Sequence, residues 1–251
     1  MRISYLTLFP NFYNEFKNTS IVKKAIDRKI VNMEVYDLKD YVLNGRVDDK
    51  TIGGGKGNLI RYDVVSEAIK SIKRANSKVI LLTPKGKVFN QRLARELSML
   101  DDVIFVCPHF EGIDSRIDDE VDYMVSLGDY ILSGGEIASQ VISDSVIRLI
   151  EGVINKESLE EESFNDGLLE YKQYCLPKEY NEKKVPDIYF SGNHKAIREY
   201  NFKNSILETK KFRPDLYKKY KLSDEEKQII KRCNKRWEKE IVNRAKNKKN
   251  D

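Results

Sequence analysis

The stretch Ser126-Leu-Gly-Asp-Tyr-Ile-Leu-Ser-Gly-Gly-Glu136 sets three glycines around the apolar run Tyr130–Leu132. Glycine costs backbone entropy inside an element, and it is kept where the chain bends sharply or comes close to something. The stretch therefore reads as a three-residue strand between two flexible loops. The backbone there meets either a ligand or another segment of the fold. A second glycine-rich run, Thr51-Ile-Gly-Gly-Gly-Lys-Gly-Asn58, tests for phosphate chemistry. Lys56 is followed by Gly57-Asn58 instead of the hydroxyl residue of a P-loop. Asn58 also stands where the dinucleotide fingerprint needs its third glycine, so both phosphate motifs fail. This run is an exposed turn or a loop that orders over a substrate backbone. The two histidines, His109 and His194, and the three cysteines, Cys107, Cys175 and Cys233, match no metal-ligand spacing. The odd and scattered cysteines also fit no disulfide framework, which favours a reducing compartment.

The elements that position these residues alternate. Strand-like runs at 3–9, 31–38, 78–84, 101–108 and within 126–136 are separated by helical spacing in 12–28, 62–75 and 89–100. Such βα alternation predicts an α/β fold with a mostly parallel sheet covered on both faces. Ligands of these sheets sit at the carboxyl ends of the strands. The loops 83–87, 107–114 and the two that flank Tyr130–Leu132 fall there. A helix is read over 136–150, then a polar, acidic linker, and then helical spacing at 192–212. A Ser223-x-x-Glu226 capping box opens a last helix. The division is 1–153 for the α/β domain, 154–166 for the linker and 167–251 for a small helical domain. Residues 1–166 carry 22 Lys and Arg against 27 Asp and Glu, whereas 167–251 carry 23 against 13. The basic rear third is either a solvated helical surface or a face for a polyanion. No apolar run reaches 18 residues and the start lacks a cleavage site, so the expectation is a cytoplasmic protein with no membrane partner.

Read in order, "LTLFP", "LTPKGK", "FEGIDSR", "SLGDYILSGGE", "DSVIR", "VPDIYFSGNHKAIREY" and "FRPDL" resemble the bacterial tRNA (guanine-37-N1)-methyltransferases. The likeness runs from Met1 to about Asp224. These enzymes belong to the SPOUT class of S-adenosylmethionine-dependent RNA methyltransferases. The resemblance implies a trefoil knot near the end of the α/β domain and a homodimer with its two active sites at the interface. It implies that Leu82, Thr83, Pro84, Pro108, Phe110, Glu111, Gly112, Ser126, Leu127, Gly128, Asp129, Tyr130, Ile131, Leu132, Gly134 and Gly135 hold S-adenosylmethionine. It implies Arg148 as the cation at guanine O6 and an acid before Ser-Phe as the base. That acid is Glu162 here, where the family has Asp, and Asp166 is the alternative. Asp48, Gly54, Gly55, Ser163, Phe164, Asn193, His194 and Arg198 fall at positions implied to meet the anticodon stem-loop of tRNA. A magnesium requirement is implied as well, although no residue cluster marks a metal site. The chain departs from the family at Pro108, His109, Phe110, Ala138 and Glu162. Those changes leave open a catalytically weakened or inactive relative that binds RNA or S-adenosylmethionine without methyl transfer.

Overall fold

Every residue of the first strand, Arg2–Thr7 (β1), is buried, as expected of a strand covered on both faces. The computed structural model of the chain describes residues 1–155 and 162–234. The chain divides into two units, Met1–Lys156 and Glu157–Asp251. In the first unit β1 is joined in order by Tyr13–Lys17 (α1), Ser20–Asp27 (α2), Asn32–Asp37 (β2), Asp48–Lys50 (β3) and Asn58–Ile60 (β4). Tyr62–Ile72 (α3), Ser77–Val88 (β5), Gln91–Ser98 (α4), Asp102–Val106 (β6), Tyr123–Ser126 (β7) and Gly135–Ile147 (α5) follow. The main sheet has the order β2-β1-β6-β5-β7, and every pairing in it is parallel.

Alternate residues of the strands serve two cores. Ile3, Tyr5, Ile80, Leu82, Val103, Phe105 and Cys107 pack with Ile142 and Val146 of α5 and with Val22 and Ala25 of α2. Leu6, Leu8, Val79, Leu81, Ile104 and Val106 pack on the other face with Val64, Ala68 and Ile69 of α3. Arg2, buried beneath the sheet, donates to Asp102 and to the carbonyl of Ile72 (2.8 Å), which ties three segments together.

Two sequence readings need correction. The expected strand at Tyr130–Leu132 is a loop, and the fifth strand is Tyr123–Ser126 just before it. Apolarity there does not signal core packing, since Ile131 is 84 % exposed. The helix read continuously over 12–28 is two helices. Asn18 and Thr19 break it, each bonding a carbonyl one turn back through its side chain.

One connection has consequences for the site. Val125 of β7 pairs with Leu82 and also with Lys87. A strand residue has one partner on each edge, so the chain between Leu82 and Lys87 crosses β7 from one edge to the other. A Cβ on Gly86 would lie 2.3 Å from the backbone nitrogen of Val125. Only glycine lets the two backbones pass at this distance.

In the second unit, residues 162–166 are tied to their own neighbours: Ser163 Oγ accepts from the Glu170 N–H and the Phe164 N–H donates to Leu168. The remaining linker residues, 156–161, lie outside the described residues. A two-residue hairpin, Glu179–Tyr180 (β8) with Lys183–Lys184 (β9), precedes His194–Phe212 (α6) and Pro214–Lys219 (α7). Residues 224–234 form a further helix. The capping box is present as read: the Glu226 N–H donates to Ser223 Oγ (3.2 Å) and the Ser223 N–H to Glu226 Oε2 (2.7 Å).

Candidate active site

Residues 82–84 within β5 and the loops at the carboxyl ends of β6 and β7 converge on a cavity of about 270 Å³. The sequence-predicted cofactor residues line it, with the single exception of Asp129. His109, Val125, Ser133 and Ala138 also line it and were not among them. His109 could have been inferred, since it sits between two residues that were.

Backbone geometry builds this cavity. The Gly135 N–H donates to the Pro108 carbonyl (2.8 Å), and His109 bridges to Gly134 in antiparallel fashion. A Cβ on Gly135 would stand 2.7 Å from Cys107 Cα and 2.8 Å from Pro108 Cδ. Pro108 is therefore tolerated, because its carbonyl and not its missing N–H makes the contact. The Gly128 loop is closed by the Tyr130 N–H donating to the Gly128 carbonyl (2.9 Å). Tyr130 and Ile131 are exposed on its far wall.

Polar side chains fix the floor. Glu136 is buried at the start of α5 and accepts from Thr7 Oγ1 (2.7 Å), which in turn accepts from the Phe9 N–H (2.9 Å). Below it Tyr13 Oη contacts Ser139 Oγ (2.7 Å) and Cys107 Sγ (3.3 Å). Burial pushes the Cys107 thiol up to about 12, so it is inert packing. His109 packs against Phe9 with its ring tilted (4.6 Å between ring centres) and meets Phe110 edge-on (5.1 Å). Its Nδ1 is buried without a hydrogen-bond partner. An unpartnered polar atom, glycines that admit a close backbone and an apolar wall together fit an adenosine-like ligand read mainly by main-chain groups.

The glycine-rich run 51–57 is the tip of the β3–β4 hairpin. This hairpin is fastened to the cavity wall: the Glu111 N–H donates to the Asn58 carbonyl (3.1 Å) and the Ile60 N–H to that of Gly112 (2.9 Å). Gly57 admits the Glu111 side chain, since a Cβ there would lie 2.4 Å from Glu111 Cγ. Gly54 and Gly55 are exposed at the tip. Asp48 is not: its carboxylate is buried and accepts from Asn58 (2.5 Å) and Arg46 (3.2 Å), contacts that hold its pKa below the usual range. It anchors the hairpin instead of presenting an acid to solvent.

The remaining candidates are dispersed. Arg148 caps the C-terminus of α5 in the first unit. Glu162 and its alternative, Asp166, line one cavity of the second unit together with Arg198. Asn193 is engaged as the N-cap of α6, accepting from the Ala196 N–H (3.1 Å), with His194 exposed beside it. Phe164 lies under the Arg213 guanidinium (5.8 Å). Glu111 is the one carboxylate that lines the strand-end cavity. No group of three His, Cys, Asp or Glu is gathered among the described residues. The magnesium implied by the resemblance thus finds no protein-built cage among the described residues.

The first unit is a parallel α/β unit with a cavity at its strand ends, and the second is a basic, largely helical unit. Comparison with known proteins goes further. Residues 1–219 match the family model described as "tRNA (Guanine-1)-methyltransferase TrmD". A protein of Clostridium botulinum (strain Kyoto / Type A2) named tRNA (guanine-N(1)-)-methyltransferase is 46 % identical over 240 residues, 94 % of this chain and 100 % of that protein. Proteins of the same name from Malacoplasma penetrans (47 % over 222 residues, 88 % and 98 %) and Mycoplasmopsis synoviae (43 % over 224, 88 % and 99 %) are similar too. The chain belongs to this family of methyltransferases.

Proposed function

We propose that the chain transfers the methyl group of S-adenosylmethionine to N1 of guanosine 37 in tRNA, acting as a homodimer in the cytoplasm. The observation that carries this reading is the convergence of 82–84, 108–112, 125–128 and 130–135 on one cavity in a member of the family. When bound, S-adenosylmethionine supplies an electrophilic methyl on a sulfonium. The loop from Ser126 to Leu132 would hold its adenosine, with Gly134 and Gly135 giving the backbone room to approach. Thr83, Pro84 and the Pro108–Gly112 loop would complete the walls.

The target nitrogen carries a proton at neutral pH, and that proton must leave as the methyl arrives. Glu162, or Asp166 beside it, would accept the proton. Arg148 would meet the negative charge that develops on guanine O6. The target base has to leave its stack for this to happen. The basic second unit would hold tRNA through phosphate contacts that weaken with salt, with Asn193, His194 and Arg198 at the start of α6 as the first candidates. The hairpin tip at Gly54 and Gly55 would approach the RNA from the first unit.

Support for the dimer lies on α5. Ile137 and Val141 are one turn apart and exposed. Phe12, also exposed, accepts from Gln140 between them (2.7 Å). Phe9 joins this apolar strip to His109 at the cavity. A twofold contact on the strip would place a second chain at the edge of each cavity.

The test is product identity. Purified chain, S-adenosylmethionine and a tRNA transcript are incubated, and nucleoside mass spectrometry locates the methyl group. The expected product is 1-methylguanosine at position 37. A methyl group on another atom, another position, or on no RNA at all overturns the proposal.

A further inference from the structure

The second unit holds a cavity of its own, about 490 Å³, between residues 171–176, the segment from Val185 to Phe190 that follows the β8–β9 hairpin, and α6. It lies outside the residues assigned to cofactor, base or cation. Tyr171, Tyr174, Tyr189 and Phe190 line it. Tyr174 and Tyr189 are 5.4 Å apart between ring centres, and Tyr189 is in turn 5.7 Å from Tyr200 behind it. Tyr174 and Phe190 remain 45 % and 48 % exposed, too much for rings that only fill a core. The Lys178 ammonium lies 4.4 Å over the Phe190 ring.

One polar group in the lining is constrained. The Tyr189 hydroxyl has two acceptors in reach, Asn201 Oδ1 at 2.8 Å and the Lys172 carbonyl at 3.2 Å; donation to the nearer one orients the amide and leaves the Asn201 NH2 as a donor. Burial pushes the Tyr189 hydroxyl up to about 12, so it keeps the proton that makes this bond. Stacking faces, a fixed amide donor and a rim cation in a basic unit are the parts of a single-stranded nucleic-acid site. An apolar protein side chain would use the rings but leave the donor and the cation unmatched.

We propose that this cavity takes one unpaired nucleobase of the tRNA, stacked on Phe190 or Tyr174, with Asn201 donating to an acceptor on the base edge and Lys178 meeting a neighbouring phosphate. The proposal rests on the reading of tRNA as substrate, and it adds base stacking to a domain otherwise expected to hold phosphates.

Cys175 supplies a direct probe. It lines the cavity and is exposed, whereas Cys107 and Cys233 are buried. In the full-length chain, alkylation of Cys175 should slow when a tRNA transcript is bound. A fully paired RNA duplex of similar length should not slow it. Phe190→Ala and Tyr174→Ala should raise the KM for tRNA by about 5- to 100-fold, with a smaller effect on kcat. Phe190→Trp and Tyr174→Phe, which keep a stacking face, should restore the wild-type KM. If an alanine variant fails to fold, Cys175 protection in the wild-type chain decides.

Equal alkylation with and without tRNA overturns the proposal, as does an unchanged KM in both folded alanine variants. Protection that grows with protein concentration in the absence of RNA also overturns it, because a second chain would then cover the cavity. A wild-type chain that methylates no tRNA removes the underlying reading as well. Normal methylation with indifferent variants removes this proposal alone.

Discussion

Gly135→Ala is the sharpest test of how the strand-end cavity is built. The added methyl would meet Cys107 Cα at 2.7 Å and Pro108 Cδ at 2.8 Å, both parts of the cavity wall. Relief to an ordinary contact of 3.4 Å requires 3.4 − 2.7 = 0.7 Å of movement between the start of α5 and the 107–108 segment. Neither side yields readily, since the Gly135 N–H is bonded to the Pro108 carbonyl and Cys107 is fully buried. Overpacking of this kind costs about 1–3 kcal/mol. If the cost falls on the bound state, affinity for S-adenosylmethionine drops by about 5- to 150-fold. Gly134→Ala supplies the comparison. Its methyl would meet Glu136 Oε2 at 2.3 Å and His109 Nδ1 at 2.6 Å, which are ends of side chains, while the nearest backbone atom stands at 3.2 Å. Isothermal titration with S-adenosylmethionine, alongside thermal melts, should rank Gly135→Ala as the weaker binder. Wild-type affinity within about twofold for Gly135→Ala, or a reversed ranking, would refute the reasoning.

Arg148→Ala should lower kcat by on the order of 10²-fold while the Kd for S-adenosylmethionine changes little; parallel losses would make Arg148 a part of the cavity wall instead. If each site draws Arg148 from one chain and Glu162 from its partner, mixing inactive Arg148→Ala with inactive Glu162→Gln should restore about a quarter of the wild-type rate. No recovery after subunit exchange would place both groups in one chain or remove one of them from the chemistry. Native chain treated with a thiol reagent at pH 8 should modify Cys175 first, since Cys107 is held up at about 12 and buried; mass spectrometry showing Cys107 modified first would contradict that burial. Asp48 titrates below its ordinary value of 3.8 in the folded chain, so its contribution to stability is full above 3.8 and lost as pH falls through the folded value. The urea midpoint of the wild type should therefore exceed that of Asp48→Asn at pH 7 and converge with it in acid. A gap that widens in acid would reverse the sign.

Much of the fold is legible because burial leaves a period in the sequence. Strands β1, β5 and β6 are apolar on both faces, and the helices over them carry one apolar stripe. The cavity residues were legible for another reason, since their glycines and short motifs are local. What could not be read is non-local. The crossing of β7 by the 83–86 segment depends on Val125 meeting two partners, and no local pattern encodes that. Strand β7 has only four residues and two of them are buried, so the neighbouring Tyr130–Leu132 carried the stronger apolar signal. Those residues are apolar toward a cavity and solvent, a use that periodicity cannot separate from a core. The burial of Asp48 is non-local as well, since Asn58 reaches it from the opposite strand. The aromatic cavity of the second unit was invisible because its rings come from segments up to 19 residues apart, Tyr171 to Phe190, and none of them sits in a regular repeat.

The central claim is that this chain methylates guanine at N1 with a donor held in the strand-end cavity. Transfer of label from methyl-labelled S-adenosylmethionine to two tRNA transcripts, one with guanosine and one with adenosine at position 37, tests it most directly. About one methyl group per guanosine transcript and background on the adenosine transcript are expected, with the first signal lowered by Gly135→Ala at limiting donor in proportion to its weaker binding. Equal labelling of the two transcripts, or none on either while S-adenosylmethionine still binds, would contradict it.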